Sequence, residues 1–217
     1  TGLQEVTCLL HRAGLGVSQA IGTGGRDLSE TVGGLATCDA IERLDGDPMT
    51  EQIIVVSKSP DEAALRAVQY SMHDCSTPVV AHFQRTDVDE FMSDNIERAE
   101  TLAAAAATVA QAVDTERAQP SIIRDQQHSG LKANDIDTIA SREPCTVRGL
   151  FCGGTLCAEA ASILDRGVLS LQTNVGIGSE VEDSAAQNHN ILVDLGADEL
   201  TRGRPHPMID SSIRDER

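Results

Sequence analysis

The chain has 217 residues, enough for one or two domains. Hydrophobic residues make up 40% of it, sufficient for a packed core, but no apolar run is long enough to span a bilayer. A net charge of −17 argues against a phosphate-backbone binder, and 2% aromatics with no Trp leave few rings to stack on exposed bases. Six cysteines are scattered without paired metal spacing. Cys152 and Cys157 are the nearest approach to a pair and read as small buried hydrophobes. The expectation is a reduced, cytoplasmic protein.

In chain order, Leu3 to Arg12 is an amphipathic helix with Leu3, Val6, Leu9 and Leu10 on one face. Gly14 to Ile21 is expected as a strand running into the loop Gly22-Thr23-Gly24-Gly25-Arg26-Asp27. Leu35 to Leu44 forms a second helix, stopped by Asp45-Gly46-Asp47-Pro48. Gln52 to Ser57 is β-branched throughout its middle and suits a doubly buried strand. Lys58-Ser59-Pro60-Asp61-Glu62 opens the next helix, with Ser59 as the cap and Pro60 in the first turn. Thr77 to Phe83 is a strand, and Asn95 to Val113 a long alanine-rich helix. The alternation indicates βαβ units and a parallel sheet.

Residues 114–145 are polar and carry Pro120 and Pro144, so they read as a linker with one short helix around Asn134 to Ile139. Thr146 to Phe151 is the next strand. Cys152-Gly153-Gly154-Thr155 turns into a helix from Leu156 to Arg166. Gln172 to Asn190 is a long polar loop, Ile191 to Leu195 a strand, and Gly196 to Pro207 a loop. A last helix begins near Met208.

An internal repeat organises these elements. With Thr1 set against Thr155, Glu5 meets Glu159, Leu10 meets Leu164 and Arg12 meets Arg166. The expected architecture is therefore α/β, with two related parallel-sheet units at 1–113 and 146–217. Each unit opens on a small-residue turn and a helix, and the chain reads as an excerpt of a longer protein.

Such turns have an anion-binding chemistry. The first N–H groups of a helix lack internal partners, and the helix dipole adds partial positive charge there. Thr1-Gly2 and Gly153-Gly154-Thr155 are two such starts, and facing one oxyanion they would act together. Lys58 lies at the end of a central strand, where ligands bind in open parallel sheets, next to Ser59. Arg26, with Gly22, Thr23, Gly24 and Gly25, offers a fork-shaped contact. His206 lies between Pro205 and Pro207, close to Arg204 and just before a helix, and it is the candidate catalytic histidine beside Lys58. His82 reads as structural and His11 as a surface residue. No Ser/His/Asp set, metal set, Rossmann fingerprint or Walker A motif is present.

Three stretches carry a family resemblance: Gly16 to Glu30 with Val32-Gly33-Gly34; Gly149-Leu150-Phe151-Cys152-Gly153-Gly154-Thr155-Leu156-Cys157-Ala158-Glu159-Ala160; and Asp194-Leu195-Gly196 with Gly203-Arg204-Pro205-His206-Pro207-Met208-Ile209-Asp210. They closely resemble FdrA proteins, within the superfamily of NDP-forming acyl-CoA synthetases typified by succinyl-CoA synthetase. The resemblance implies two flavodoxin-like domains, each aiming a helix N-terminus at a phosphorylated group. It implies carbamoyl transfer between carbamoyl phosphate and oxamate in purine and allantoin breakdown, with other subunits of a carbamoyltransferase complex as partners and neither nucleic acid nor membrane. CoA or a nucleotide would enter only through domains outside this chain. The ligases carry a Gly-His-Ala-Gly-type loop after the strand corresponding to Thr77 to Phe83. Here Gln84-Arg85-Thr86-Asp87-Val88-Asp89-Glu90-Phe91-Met92 has no histidine, and Lys58 stands about where the ligases place a carboxylate. A lysine there suits a free acyl or carbamoyl phosphate. An acyl-CoA ligase and a non-catalytic scaffold subunit are the alternative readings.

Overall fold

The computed structural model describes residues 2–84, 93–113, 146–165, 171–175, 190–210 and 212–215. The fold is α/β. It divides into two compact units, one running from Gly2 to Gly130 and the other from Leu131 to Arg217, each with its own three-stranded parallel sheet.

In the first unit the elements are α1 (Gly2–Arg12), α2 (Leu35–Asp45), β1 (Ile53–Ser57), α3 (Glu62–His73), β2 (Val79–Phe83), β3 (Ile96–Arg98) and α4 (Leu102–Ala112). The strands lie in the order β1-β2-β3, with Ile53 opposite Val79 and Val79 opposite Ile96. All five residues of β2 are buried, as expected of a strand covered on both faces. Ile53, Val55, Val79, Ala81 and Phe83 pack with Ile41 of α2 and Val68 and Met72 of α3. Strand alternation sends Val80 and His82 to the other face. There α1 and α4 pack on each other, on β1 and on β2, burying Val6, Leu9, Leu10, Ala105, Ala106 and Val109. Each fully buried aliphatic chain such as Ile53 or Val68 contributes about 1.5–3 kcal/mol relative to exposure.

The helices run against the strands. Asp45, at the end of α2, accepts hydrogen bonds from Ser76 and Thr77, which lead into β2. Ser18 and Gln19, beyond the end of α1, bond to Thr50 and Asp47 just before β1. α2 therefore finishes at the amino edge of the sheet and starts at its carboxyl edge.

The second unit contains β4 (Arg148–Phe151), α5 (Gly154–Asp165), β5 (Leu171–Thr173), β6 (Asn190–Asp194), α6 (Asp198–Thr201) and α7 (Ser212–Asp215). β6 is central, flanked by β4 and β5. Cys157, Ala158 and Ala161 of α5 pack on Leu192, Val175 and Phe151. The small side chains let the helix lie close to the sheet. Gly149 has the same role in β4, since a Cβ there would come within 2.6 Å of Leu192 Cδ2.

Several expectations need correction. Gly14 to Ile21 is not a strand. Residues 16–22 are exposed, no strand among the described residues pairs with them, and side-chain bonds from Ser18 and Gln19 hold them instead. At the repeat offset Val17 to Gln19 matches Leu171 to Thr173, which is β5 and pairs with β6. Pairing, not local sequence, separates the two copies. Asn95 to Val113 is a strand followed by a helix: Ile96–Arg98 pairs with β2, and α4 begins only after Thr101, whose hydroxyl accepts from Ala104 N–H at 3.0 Å. Ser59 does not cap α3. Its hydroxyl donates to the Gln84 carbonyl at 2.6 Å, and the helix begins at Glu62. The expected polar loop from Gln172 starts inside β5, and the expected loop from Gly196 holds the short helix α6. The linker and the Arg85 to Met92 segment lie outside the described residues.

Candidate functional site

The carboxyl edge of the second sheet gathers residues from two distant motifs. β4 and β6 are neighbours with Phe151 opposite Asp194, and Leu195 N–H donates to the Phe151 carbonyl at 2.7 Å. One residue further on, Gly196 and Cys152-Gly153 therefore leave the sheet side by side, and α5 starts from Gly154, which is buried. In open parallel sheets this edge is where ligands bind.

Asp194 is 4% exposed. Its Oδ1 accepts from Gly196 N–H at 3.0 Å, and its backbone is clamped by Asn174, whose amide bonds both the N–H and the carbonyl. His206 comes back over this turn. A Cβ on Gly196 would lie 2.5 Å from His206 Nε2 and 3.2 Å from Asp194 Oδ1, so the imidazole occupies the space that only glycine leaves open. His206 Nδ1 accepts from Met208 N–H at 3.2 Å. The His206 carbonyl accepts from Ile209 N–H at 2.7 Å and Asp210 N–H at 3.1 Å. With Pro205 and Pro207 restricting the chain on either side, the half-buried ring is held from both ends.

Arg204 is exposed and close enough to act on Asp210. The Asp210 carboxyl is held below its ordinary value first by its bonds to Ser212 and secondarily by the Arg204 charge. Thr155 is half-buried in the first turn of α5.

The first unit has a carboxyl edge of a different character. Lys58 is exposed immediately after β1, and Arg26 is exposed in the glycine-rich loop. Asp61 N–H donates to the Leu28 carbonyl at 3.0 Å, and Glu30 N–H donates to the Asp61 carboxylate. The loop and the Lys58 to Asp61 turn thus share one edge. The start of α2, however, is already filled. Asp27, 5% exposed, accepts from Ala36 N–H and Thr37 N–H, both at 2.9 Å, and from the Thr37 hydroxyl at 2.6 Å. Burial alone would raise its pKa, but the Thr37 hydroxyl and the two N–H groups outweigh that and hold it below the usual carboxylate value. Thr23 Oγ1 lies 3.2 Å from the Thr37 hydroxyl, so it supports this cap. Gly24, at φ +88°, makes the turn that brings Asp27 round, while Gly22 and Gly25 are exposed.

The sequence-based candidates thus fall into two groups. Gly153, Gly154, Thr155 and His206 share the second sheet's edge. Gly22, Thr23, Gly24, Gly25, Arg26, Lys58 and Ser59 share the first sheet's edge. Gly2 is buried in the first turn of α1, and Thr1 lies outside the described residues. His82 is buried with Nδ1 2.9 Å from the Ala99 carbonyl. Among the described residues no group of His, Cys, Asp and Glu is arranged to hold a metal, and no helix is long and apolar enough to cross a membrane. Sequence reasoning missed Asp194, Gly196 and Asp27 as site-building residues. Asp194 and Gly196 stood inside a quoted motif, but their contact with His206 is tertiary. Asp27 caps a helix from seven residues before its Gly34 N-cap, beyond the reach of any local capping rule.

No protein-family model matches the chain. It is similar to the uncharacterized protein YahF of Escherichia coli strain K12, at 36% identity over 219 residues, a match that takes in 99% of this chain and 41% of that protein. The chain therefore spans less than half the length of this curated relative.

Proposed function

We propose that this chain is part of an FdrA-like protein of the acyl-CoA synthetase superfamily, and that it handles an acyl or carbamoyl phosphate in carbamoyl transfer, with oxamate as the partner substrate. The observation that carries this reading is the second sheet's carboxyl edge. A Gly-Gly helix start there adjoins Asp194, Gly196 and a His206 ring fixed by backbone contacts, all within stretches that resemble FdrA. The helix start offers N–H groups to an oxyanion, and an imidazole adds a donor that can be aimed. Lys58 at the first sheet's edge would supply positive charge for the same class of ligand. Other subunits of a carbamoyltransferase complex are the proposed partners, and the cytoplasm the proposed location.

The test uses the full-length protein with its partner subunits. Carbamoyl phosphate and oxamate should be consumed together, and Lys58→Ala should lower turnover by about tenfold or more, the loss of one charge-assisted contact. Labelling by a γ-labelled nucleoside triphosphate with CoA-dependent release would favour the acyl-CoA ligase instead. Calorimetry without phosphate or carbamoyl phosphate binding would leave a scaffold.

A further inference from the structure

We infer that His206 acts as a fixed Nε2–H donor to an oxyanion and not as a phosphate-carrying nucleophile, with Gly196 and the Met208 N–H as the groups that set it. This rests on the reading that the second sheet's carboxyl edge receives an anion.

The argument starts from the ring's two nitrogens. Met208 N–H donates to Nδ1 at 3.2 Å. A backbone N–H can only donate, so Nδ1 must offer its lone pair, and in a neutral imidazole the proton then belongs to Nε2. Nε2 itself borders Gly196, 2.5 Å from the point that a Cβ there would occupy.

The consequence is chemical. A phosphoryl group is accepted by a nitrogen lone pair. The lone pair of His206 is the one engaged by Met208 N–H, while Nε2 presents a proton. The arrangement is built to donate a hydrogen bond. It also explains the glycine: any Cβ at 196 would lie 2.5 Å from Nε2, well inside contact distance, and would push the ring off its place.

The experiment uses the full chain labelled with 15N-histidine. Long-range proton–nitrogen spectra at about pH 8, above the ordinary histidine pKa, should show His206 protonated at Nε2 and bare at Nδ1. Inorganic phosphate should shift the Nε2 signal. Gln places its amide N–H near Nε2 and Asn places its own near Nδ1, so H206Q should keep phosphate affinity while H206N loses about tenfold or more. G196A, whose Cβ would displace the ring, should abolish the fixed tautomer. A proton found on Nδ1, equal loss in H206Q and H206N, or a His206 spectrum indifferent to phosphate overturns the inference. The tautomer result is independent of the substrate, so it can fail while the carbamoyl transfer assay succeeds, and the reverse.

Discussion

Replacing Asp27 with alanine removes the acceptor that closes the start of α2. Three donors lose this acceptor at once: Ala36 N–H, Thr37 N–H and the buried Thr37 hydroxyl. The N-cap residue itself, Gly34, has no side chain to take over. Loss of an N-cap costs about 0.5–2 kcal/mol, and loss of the hydroxyl's bond to the carboxylate, with only Thr23 Oγ1 left as its partner, adds about 1 kcal/mol. The expected destabilisation is therefore about 1.5–3 kcal/mol, with Asp27→Asn costing less because its amide oxygen still accepts. Urea unfolding followed by tyrosine fluorescence isolates the effect, since Tyr70 is the single tyrosine, there is no Trp, and it lies on α3 of the same unit. Protonation supplies a second axis. The native pKa of Asp27 is lowered, so its contribution is fully present above the unfolded value near 3.8 and is lost as pH falls through the lower native value. The stability difference between wild type and Asp27→Asn should shrink on acidification below about pH 4. A loss under about 0.5 kcal/mol for Asp27→Ala at neutral pH, or a difference that does not change on acidification, would refute the cap.

Gly34→Ala combines a left-handed φ of +79° with a Cβ 3.0 Å from Val68 Cγ2; its cost, about 1–3 kcal/mol, should appear in the same tyrosine-monitored transition. Gly149→Ala should loosen the second unit by about 1–3 kcal/mol, read by hydrogen exchange of the β4 and β6 amides, because its Cβ would collide with Leu192 and Phe151. Burial, then the Asp45 and Asp74 charges, push the Cys75 thiol up to about 11. Iodoacetamide at pH 8 should accordingly modify the exposed Cys8 and Cys152 well before Cys75, whose rate should go on rising up to about pH 11. Uniform labelling of all three would contradict that environment.

The sequence by itself determined the elements whose own pattern suffices. The apolar stripe of Gly2–Arg12, the β-branched run of Ile53–Ser57 and the glycine turn before α5 each announce their structure through local periodicity and backbone freedom, and their alternation implies parallel sheets. Two of the three resembling stretches also contained the residues gathered at the second sheet's edge. Tertiary structure decided what depends on partners. Val17 to Gln19 and Leu171 to Thr173 occupy matching places in the repeat, yet only the second becomes a strand, because only it has β6 to accept its hydrogen bonds. Ile96–Arg98 became a strand within an expected helix for the same reason. Asp27 on α2 and His206 over Gly196 are contacts across nine to ten residues, which no local pattern encodes. A chain specifies conformational preference one residue at a time, but a hydrogen bond or a steric vacancy needs two groups, and only folding brings the second to the first.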